Sequence, residues 1–280
     1  MKFLLYNPLC GTGDSREEAE AYSIVCNGKN KVLDMTEISS YKDFLEILAE
    51  GDEVYIFGGD GTLNRFVNGI GDTRIMNSIY YYPTGCGNDF AGDVKRNGVR
   101  EPFLINQYIK KLPEVSLNGE RRKFINGVGF GIDGYCCEIG DKMRLEKKHP
   151  DYSKIAVRAL LRDFEPREAT VIVDGRRMHF TKVWVAPTMF GSRYGGGMIP
   201  TPKQKRGAKE KHVSLMLLHG TGRLKALMMF PSIFKGTHVK HKKNVTVFSG
   251  KEIHVKFDRP TPLQIDGETV LGVTEYAVTV

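Results

Sequence analysis

No stretch of the chain approaches the ~18 apolar residues that a membrane-spanning helix needs, and neither a low-complexity tract nor an internal repeat is visible. The five cysteines, Cys10, Cys26, Cys86, Cys136 and Cys137, form no Cys-x-x-Cys pair and no even framework. They read as reduced thiols of a cytoplasmic protein rather than as a disulfide scaffold. The seven histidines show no His-Glu-x-x-His or other metal spacing. No GxxxxGK[ST] occurs, which excludes a P-loop. The opening "MKFLLYNPLCG" is too short in its apolar part for a secretory signal.

What remains is a globular composition over 280 residues, room for one large domain or two ordinary ones. The formal net charge is +8. Basic stretches recur after residue 118, at "NGERRKF", "KMRLEKKHP", "TPKQKRGAKEKH" and "THVKHKKN". Any one of them reads as a solvated face, but their one-sided placement implies an anionic partner: phosphates, an acidic membrane surface or nucleic acid. Before Pro113, strand patterns ("KFLLYN", "KVLDM", "EVYIFGG", "SIYYYPTG") alternate with helical ones ("SREEAEAYSIV", "YKDFLEILA", "TLNRFVNGI", "NDFAGDV", "EPFLINQYIKK"). Such alternation predicts a parallel sheet with helices on its faces. After it, strands flank Asn-Gly and Asp-Gly turns, which signal antiparallel hairpins. Helices around "DYSKIAVRALLRDF" and "GRLKALMMFPSIFKG" interrupt them, and the boundary falls near 113–118.

Ligands of open parallel sheets bind beyond the carboxyl ends of the strands. Three predicted strands there run into glycine-bearing loops: "NPLCGTG", "GGDGT" and "PTGCGND". Glycine lets the backbone approach a phosphate, and the N–H groups of a following helix attract anions. One such loop is usually only a turn; three at successive strand ends indicate a phosphate site. A dinucleotide fingerprint fits poorly, because Arg16 stands at the third glycine position and Asn7-Pro8 lengthens the turn. "GGDGT" suits a kinase element. Its glycines admit phosphates, and Asp60, at a strand end where no packing role is expected, suits Mg²⁺.

Together, and in this order, "NPLCGTG", "GGDGTLNRFVNGI", "PTGCGNDFA", "FINGVGFGIDGY", "RYGGGMIPTP", "GTHVKHKKNVTVFSGKEI" and "PLQIDGE" make the chain resemble the diacylglycerol kinase catalytic-domain superfamily, especially its bacterial soluble lipid kinases. Sphingosine and ceramide kinases are relatives. "GGDGT" alone is not specific, since NAD kinases and phosphofructokinases have similar loops. The resemblance implies an α/β ATP-binding domain over 1–115 and a mostly antiparallel β-sandwich over 116–269, with the nucleotide in the cleft between them. It also implies that a last strand, about 270–280, returns to the first domain; composition alone would leave it in the second.

The resemblance places ATP against Asn7, Gly58, Gly59, Asp60, Gly61 and Thr62, with Gly85 and Asn88 nearby, and Mg²⁺ against Asp60 and Asp89. It makes Glu268 the general base, where local pattern alone shows an Asp-Gly turn with a solvated glutamate. Asp266 would orient the loop or the nucleotide, and Asp133 would contact a substrate headgroup. The alternating Gly127, Gly129 and Gly131 read as close packing of a neighbouring backbone. Three positions depart from the family: Cys86 replaces a usual threonine, Arg65 a usual glutamate, and 202–212 lacks the aspartate that helps hold a structural Mg²⁺ in relatives. No such metal is expected here, with Lys209 or Lys211 in its place. The expectation is an ATP- and Mg²⁺-dependent lipid kinase, cytoplasmic and peripherally attached to an anionic membrane surface. No nucleic-acid partner is expected, and a homodimer is left open. The alternatives are an NAD kinase-like enzyme and an inactive nucleotide- or lipid-binding homologue.

Overall fold

The computed structural model describes the chain except residues 11–13, 86, 96–97, 99–100 and 208. Cys86 and the glycines of 11–13 therefore lie outside the described residues. The chain divides into two compact units, Met1–Leu112 and Pro113–Val280.

The first unit contains β1 (Lys2–Tyr6), α1 (Ser15–Val25), β2 (Asn30–Asp34), α2 (Tyr41–Glu46), β3 (Glu53–Gly58), α3 (Asp60–Ile70), β4 (Ser78–Pro83), α4 (Asp89–Asp93), β5 (Phe103–Leu104) and α5 (Asn106–Ile109). The sheet order is β2-β1-β3-β4-β5, parallel except for β5. β1 and β3 are apolar because a parallel sheet is covered on both faces; Leu4, Leu5, Val54, Ile56 and Phe57 are fully buried. On α3, Leu63, Phe66, Val67 and Ile70 recur at helical spacing and face inward. The helix expected over "EPFLINQYIKK" is instead a short strand and a single helical turn. Phe103 pairs with Tyr81 of β4 and packs against the Phe90 ring, so a tertiary contact overrides the local pattern.

The second unit contains β6 (Glu114–Leu117), β7 (Glu120–Lys123), β8 (Gly127–Gly131), α6 (Ile132–Leu145), α7 (Tyr152–Arg158), a π turn (Ala159–Asp163), β9 (Arg167–Val173), β10 (Arg176–Val183), β11 (Val185–Met189), β12 (Val213–Leu218), α8 (Arg223–Met229), α9 (Pro231–Phe234), β13 (Val245–Gly250), β14 (Glu252–Ile265) and β15 (Glu268–Thr279). All pairings are antiparallel. Three hairpins turn on the expected dipeptides, Asn118-Gly119, Asp174-Gly175 and Asp266-Gly267, each with positive φ at both positions. This is the geometry whose twist matches the flanking strands. β14 pairs β9 by its first half and β8 by its second, with irregularities between Lys256 and Thr261 and between Thr261 and Leu263. Such bulges bend a strand and let it serve two layers.

Two expectations are corrected here. The C-terminal strand does not return to the first sheet: β15 continues the Asp266-Gly267 hairpin and pairs with β14 and β6. The units part before β6, which belongs to the second sheet, rather than at 115–116. Helix α6, which the pattern of "GVGFGID" hides, starts directly after β8 and carries Asp133 in its first turn. No described helix is long and apolar enough to cross a membrane.

α6 crosses β14 closely at Gly134, where an added Cβ would lie 2.1 Å from the Pro262 carbonyl oxygen. Glycine to alanine in a helix ordinarily stabilises by ~1 kcal/mol. Here the backbone contact reverses the sign, and Gly134→Ala is expected to destabilise by ~1–3 kcal/mol, read from the denaturant midpoint. A stabilised variant would refute the close crossing.

Candidate functional site

In the first unit, loops leave the carboxyl ends of β1, β3 and β4 and hold one another. Buried Asn7 donates through Nδ2 to Thr62 Oγ1 (2.7 Å) and accepts at Oδ1 from the Leu9 N–H (3.0 Å). The Thr84 N–H donates to the Gly58 carbonyl (2.9 Å). A Cβ on Gly85 would lie 2.5 Å from Gly59 Cα, so two bare backbones pass each other there. A Cβ on Gly58 would strike the Thr62 side chain at 2.5 Å. Those three glycines are used by the protein's own packing. Gly61 differs: apart from its chain neighbours and the backbone of its own helix, no described atom lies within 4 Å of where its Cβ would be. That open space lies in the first turn of α3, where N–H groups have no intrahelical acceptor.

The Asp60 carboxylate, contrary to expectation, has a structural role. Oδ2 accepts from the Asp89 N–H (2.8 Å) and Oδ1 from the Phe90 N–H (3.0 Å), so Asp60 caps α4 from a distant loop. Each oxygen keeps a further lone pair. Asn88, in the left-handed region at φ 47°, accepts from the Gly85 N–H (3.1 Å) and donates back to the Gly85 carbonyl. Asp89 is buried in the first turn of α4. Among the described residues no group of three or more His, Cys, Asp or Glu side chains gathers as a metal cage. The donor set therefore fits a cation that arrives with phosphate ligands better than one held by protein alone. Tyr81, which reads in sequence as an ordinary core residue, lies fully buried with no hydrogen-bond partner for its hydroxyl among the described residues. Burial first, then Asp60, Cys10 and Asp89, push its pKa well above the usual value.

In the second unit, Asp266 orients the chain. Its Oδ1 accepts from the Asn126 (2.7 Å) and Gly127 (2.9 Å) N–H groups and its Oδ2 from the Ile125 N–H (2.5 Å). Its hairpin delivers Glu268, exposed at the start of β15 and paired with Ile265. One step along, Gly129, Gln264 and Thr269 share a pairing row. Asp133 folds over that row: its Oδ2 lies 2.0 Å from where a Cβ on Gly129 would stand. Both Asp133 oxygens and Gln264 Nε2 are buried without a hydrogen-bond partner among the described residues. Burial pushes the Asp133 carboxyl up to about 7, moderated by the nearby Gly134 and Asp133 amides and by Gln264 and Tyr194. In the segment 202–212 the buried cation is not the expected Lys209, which is exposed, or Lys211, which is half-buried, but Arg206. Buried Arg206 donates to the Ile125 carbonyl and to Asn126 Oδ1 (2.9 Å), with its guanidinium over the Phe190 ring. Lys211 lies over the same ring. "RYGGGMIPTP" and "PLQIDGE" already flagged the segments of Tyr194 and Gln264, and the basic stretch "TPKQKRGAKEKH" contained Arg206 without distinguishing it from its neighbours; no local signal marked Tyr81.

The sequence-selected residues thus gather as two groups. Asn7, 58–62, Gly85, Asn88 and Asp89 belong to the first unit, and Asp133 and Glu268 to the second. Family models match both. The model described as "Diacylglycerol kinase catalytic domain" covers residues 2–116, and "YegS C-terminal NAD kinase beta sandwich-like domain" covers 126–280. A protein named diacylglycerol kinase from Mycobacterium tuberculosis is 25% identical over 266 residues, spanning 90% of this chain and 84% of that one. A crystal structure titled as a diacylglycerol kinase from Bacillus anthracis str. Sterne superposes with a TM-score of 0.62 at 16% identity. The superposition covers 99% of this chain and 93% of that chain, which establishes likeness of fold.

The cap makes Asp60→Ala a stability variant. It is expected to lose ~1 kcal/mol, read from the denaturant midpoint; an unchanged midpoint would show that the cap contributes nothing. The Asp133 carboxyl binds its proton more tightly folded than unfolded. Its contribution is therefore full below about pH 4, falls as pH rises to about 7, and is flat above. Asp133→Asn should abolish that slope and raise stability at pH 8 by up to about 4 kcal/mol. Parallel thermal midpoints for both proteins across pH 4 to 8 would contradict the buried, unpaired carboxyl.

Proposed function

The chain belongs to the diacylglycerol kinase catalytic-domain superfamily, and from that premise we propose that it transfers the γ-phosphoryl group of ATP to a hydroxyl of a diacylglycerol-like lipid. The observation that carries the reading is the loop cluster of the first unit. Three loops there are locked by their own hydrogen bonds, and open space is left beside bare Gly61 at a helix start. Phosphoryl transfer is mostly positioning and charge neutralisation, so a rigid set of backbone donors is what the chemistry requires.

In this proposal the α3 amides and Asn7, with 58–62, Gly85 and Asn88, hold the phosphates of ATP. Asp60 and Asp89 hold Mg²⁺ through remaining lone pairs or water, and the cation supplies neutralisation of phosphate charge. Glu268 accepts the proton of the lipid hydroxyl as its oxygen bonds to the γ-phosphorus and ADP departs. Its exposure leaves the carboxylate free to meet an acceptor, while Asp266 keeps its hairpin in place. The buried oxygens of Asp133 are acceptors for hydroxyl groups of the lipid headgroup, which would satisfy oxygens that have no close partner among the described residues. Segment 202–212 holds no structural Mg²⁺ in this reading, because Arg206 already takes the oxygens there. The acceptor is met at an anionic membrane surface from the cytoplasm.

Radiolabelled ATP offered with diacylglycerol, other lipid alcohols and NAD tests the reading: label should enter a lipid. Label in NAD would make the enzyme NAD kinase-like, and no transfer would leave a binding homologue. Glu268→Gln should lower kcat by ~10²–10⁴-fold with ATP affinity unchanged, as removal of a general base predicts. Undiminished turnover would remove Glu268 from the mechanism.

A further inference from the structure

The exposed large apolar side chains of the second unit are concentrated on its helices. Val157 is 42% exposed and Leu161 52%, four residues apart along α7 and the π turn. Leu224 is 68% exposed and Met228 66%, four apart on α8, and Phe234 of α9 is also exposed. Residues four apart form one line on a helix face. The opposite faces of the same helices are buried in a single core through Ala156, Ala159, Leu160, Ala226 and Met229. Arg223 fastens α8 to the π turn by donating to the Leu160 (3.3 Å) and Phe164 (2.7 Å) carbonyls. The two apolar lines therefore lie on neighbouring helices that share one core.

Cations flank these lines: Lys154, Arg158 and Arg162 on the first, Lys225 and Lys235 around the second. Asp151 pairs with Lys154 (3.1 Å) and Asp163 with Arg158 (2.6 Å), but such surface pairs are weak and readily exchanged. An apolar stripe between lysines and arginines, lying on the surface rather than spanning, is the pattern of a helix that rests in a bilayer interface. Acidic headgroups complement the cations and acyl chains the apolar line. A docking protein would need a surface of matching acidic and apolar groups; a bilayer offers both at once.

We infer that the α7–π-turn–α8 face of the second unit docks on an anionic lipid bilayer, with Val157, Leu161, Leu224 and Met228 entering the interface. The inference rests on the proposed lipid acceptor for its purpose but not for its test.

Flotation with vesicles of phosphatidylcholine, alone and mixed with phosphatidylglycerol, reads it directly, without ATP or acceptor lipid. The wild-type chain should bind the mixed vesicles. Salt should weaken that binding without abolishing it, because charge is screened within ~8 Å at ~0.15 M while insertion is not. Leu161→Ser/Leu224→Ser should lose roughly tenfold or more of the binding and release completely with salt. Its thermal midpoint should match the wild type, since both side chains already face solvent. Lys225→Glu/Lys235→Glu should weaken binding to mixed vesicles while keeping its salt-resistant part. Three results would overturn the inference: no wild-type binding, wild-type binding by the serine variant, or a change of oligomeric mass in that variant without vesicle binding. A chain that docks but phosphorylates no lipid would instead defeat the proposed function and leave the docking face standing.

Discussion

Each unit is organised by one carboxylate that backbone N–H groups of another loop must share. Asp60 accepts from the first amides of α4, and Asp266 accepts from the three amides that lead into β8. Buried amides without acceptors are costly, so a loop with no strand or helix partner takes a side chain instead. In both places the aspartate is followed by glycine, Gly61 and Gly267, and no described residue beyond the adjoining chain lies within 4 Å of where either Cβ would stand. The arrangement is rigid without being filled. Chain segments meet through hydrogen bonds, and the space next to them stays open.

Packing of bare backbone completes that rigidity. Gly59 and Gly85 approach at their Cα atoms, and the α6 backbone at Gly134 crosses against β14. These contacts bring loops and layers nearer than side chains would allow. In the second unit the same closeness buries Asp133 over Gly129, with no close hydrogen-bond partner for its oxygens among the described residues. An unpaired buried carboxyl lowers stability above neutral pH, a cost commonly found where a group is kept for a ligand. Arg206 works in the opposite direction: its guanidinium is satisfied by Ile125 and Asn126 and lies over Phe190, so the buried charge reinforces the turn that Asp266 also holds.

Cations of the second unit acquire different meanings once folded, and those beside the apolar lines lie outside the basic clusters of the sequence. Arg206 goes inward, whereas Lys154, Arg158, Lys225 and Lys235 remain outward beside exposed Leu161 and Leu224. Net charge alone attracts any anion over a Debye length; only its coincidence with an apolar line singles out a lipid surface.

Much was legible in the chain because the signals are local. Alternating strand and helix patterns specify the parallel sheet of the first unit, and Asn118-Gly119, Asp174-Gly175 and Asp266-Gly267 specify three hairpins through their positive φ. The order of the glycine motifs was enough to identify the family. What local pattern misassigned depended on distant partners. Phe103 became a strand residue by pairing with Tyr81. For β15 it was the resemblance, not local pattern, that pointed to the first unit; composition left the strand in the second, where β14 and β6 flank it. α6 was hidden behind a glycine-rich strand. The same limit governs the site. Residue type shows that Asp60, Asp133 and Arg206 are polar. Which finds a partner and which is buried without one depends on loops brought together from far along the chain, so only the tertiary structure decided that Asp60 caps a helix, Arg206 closes a turn and Asp133 has no close partner among the described residues.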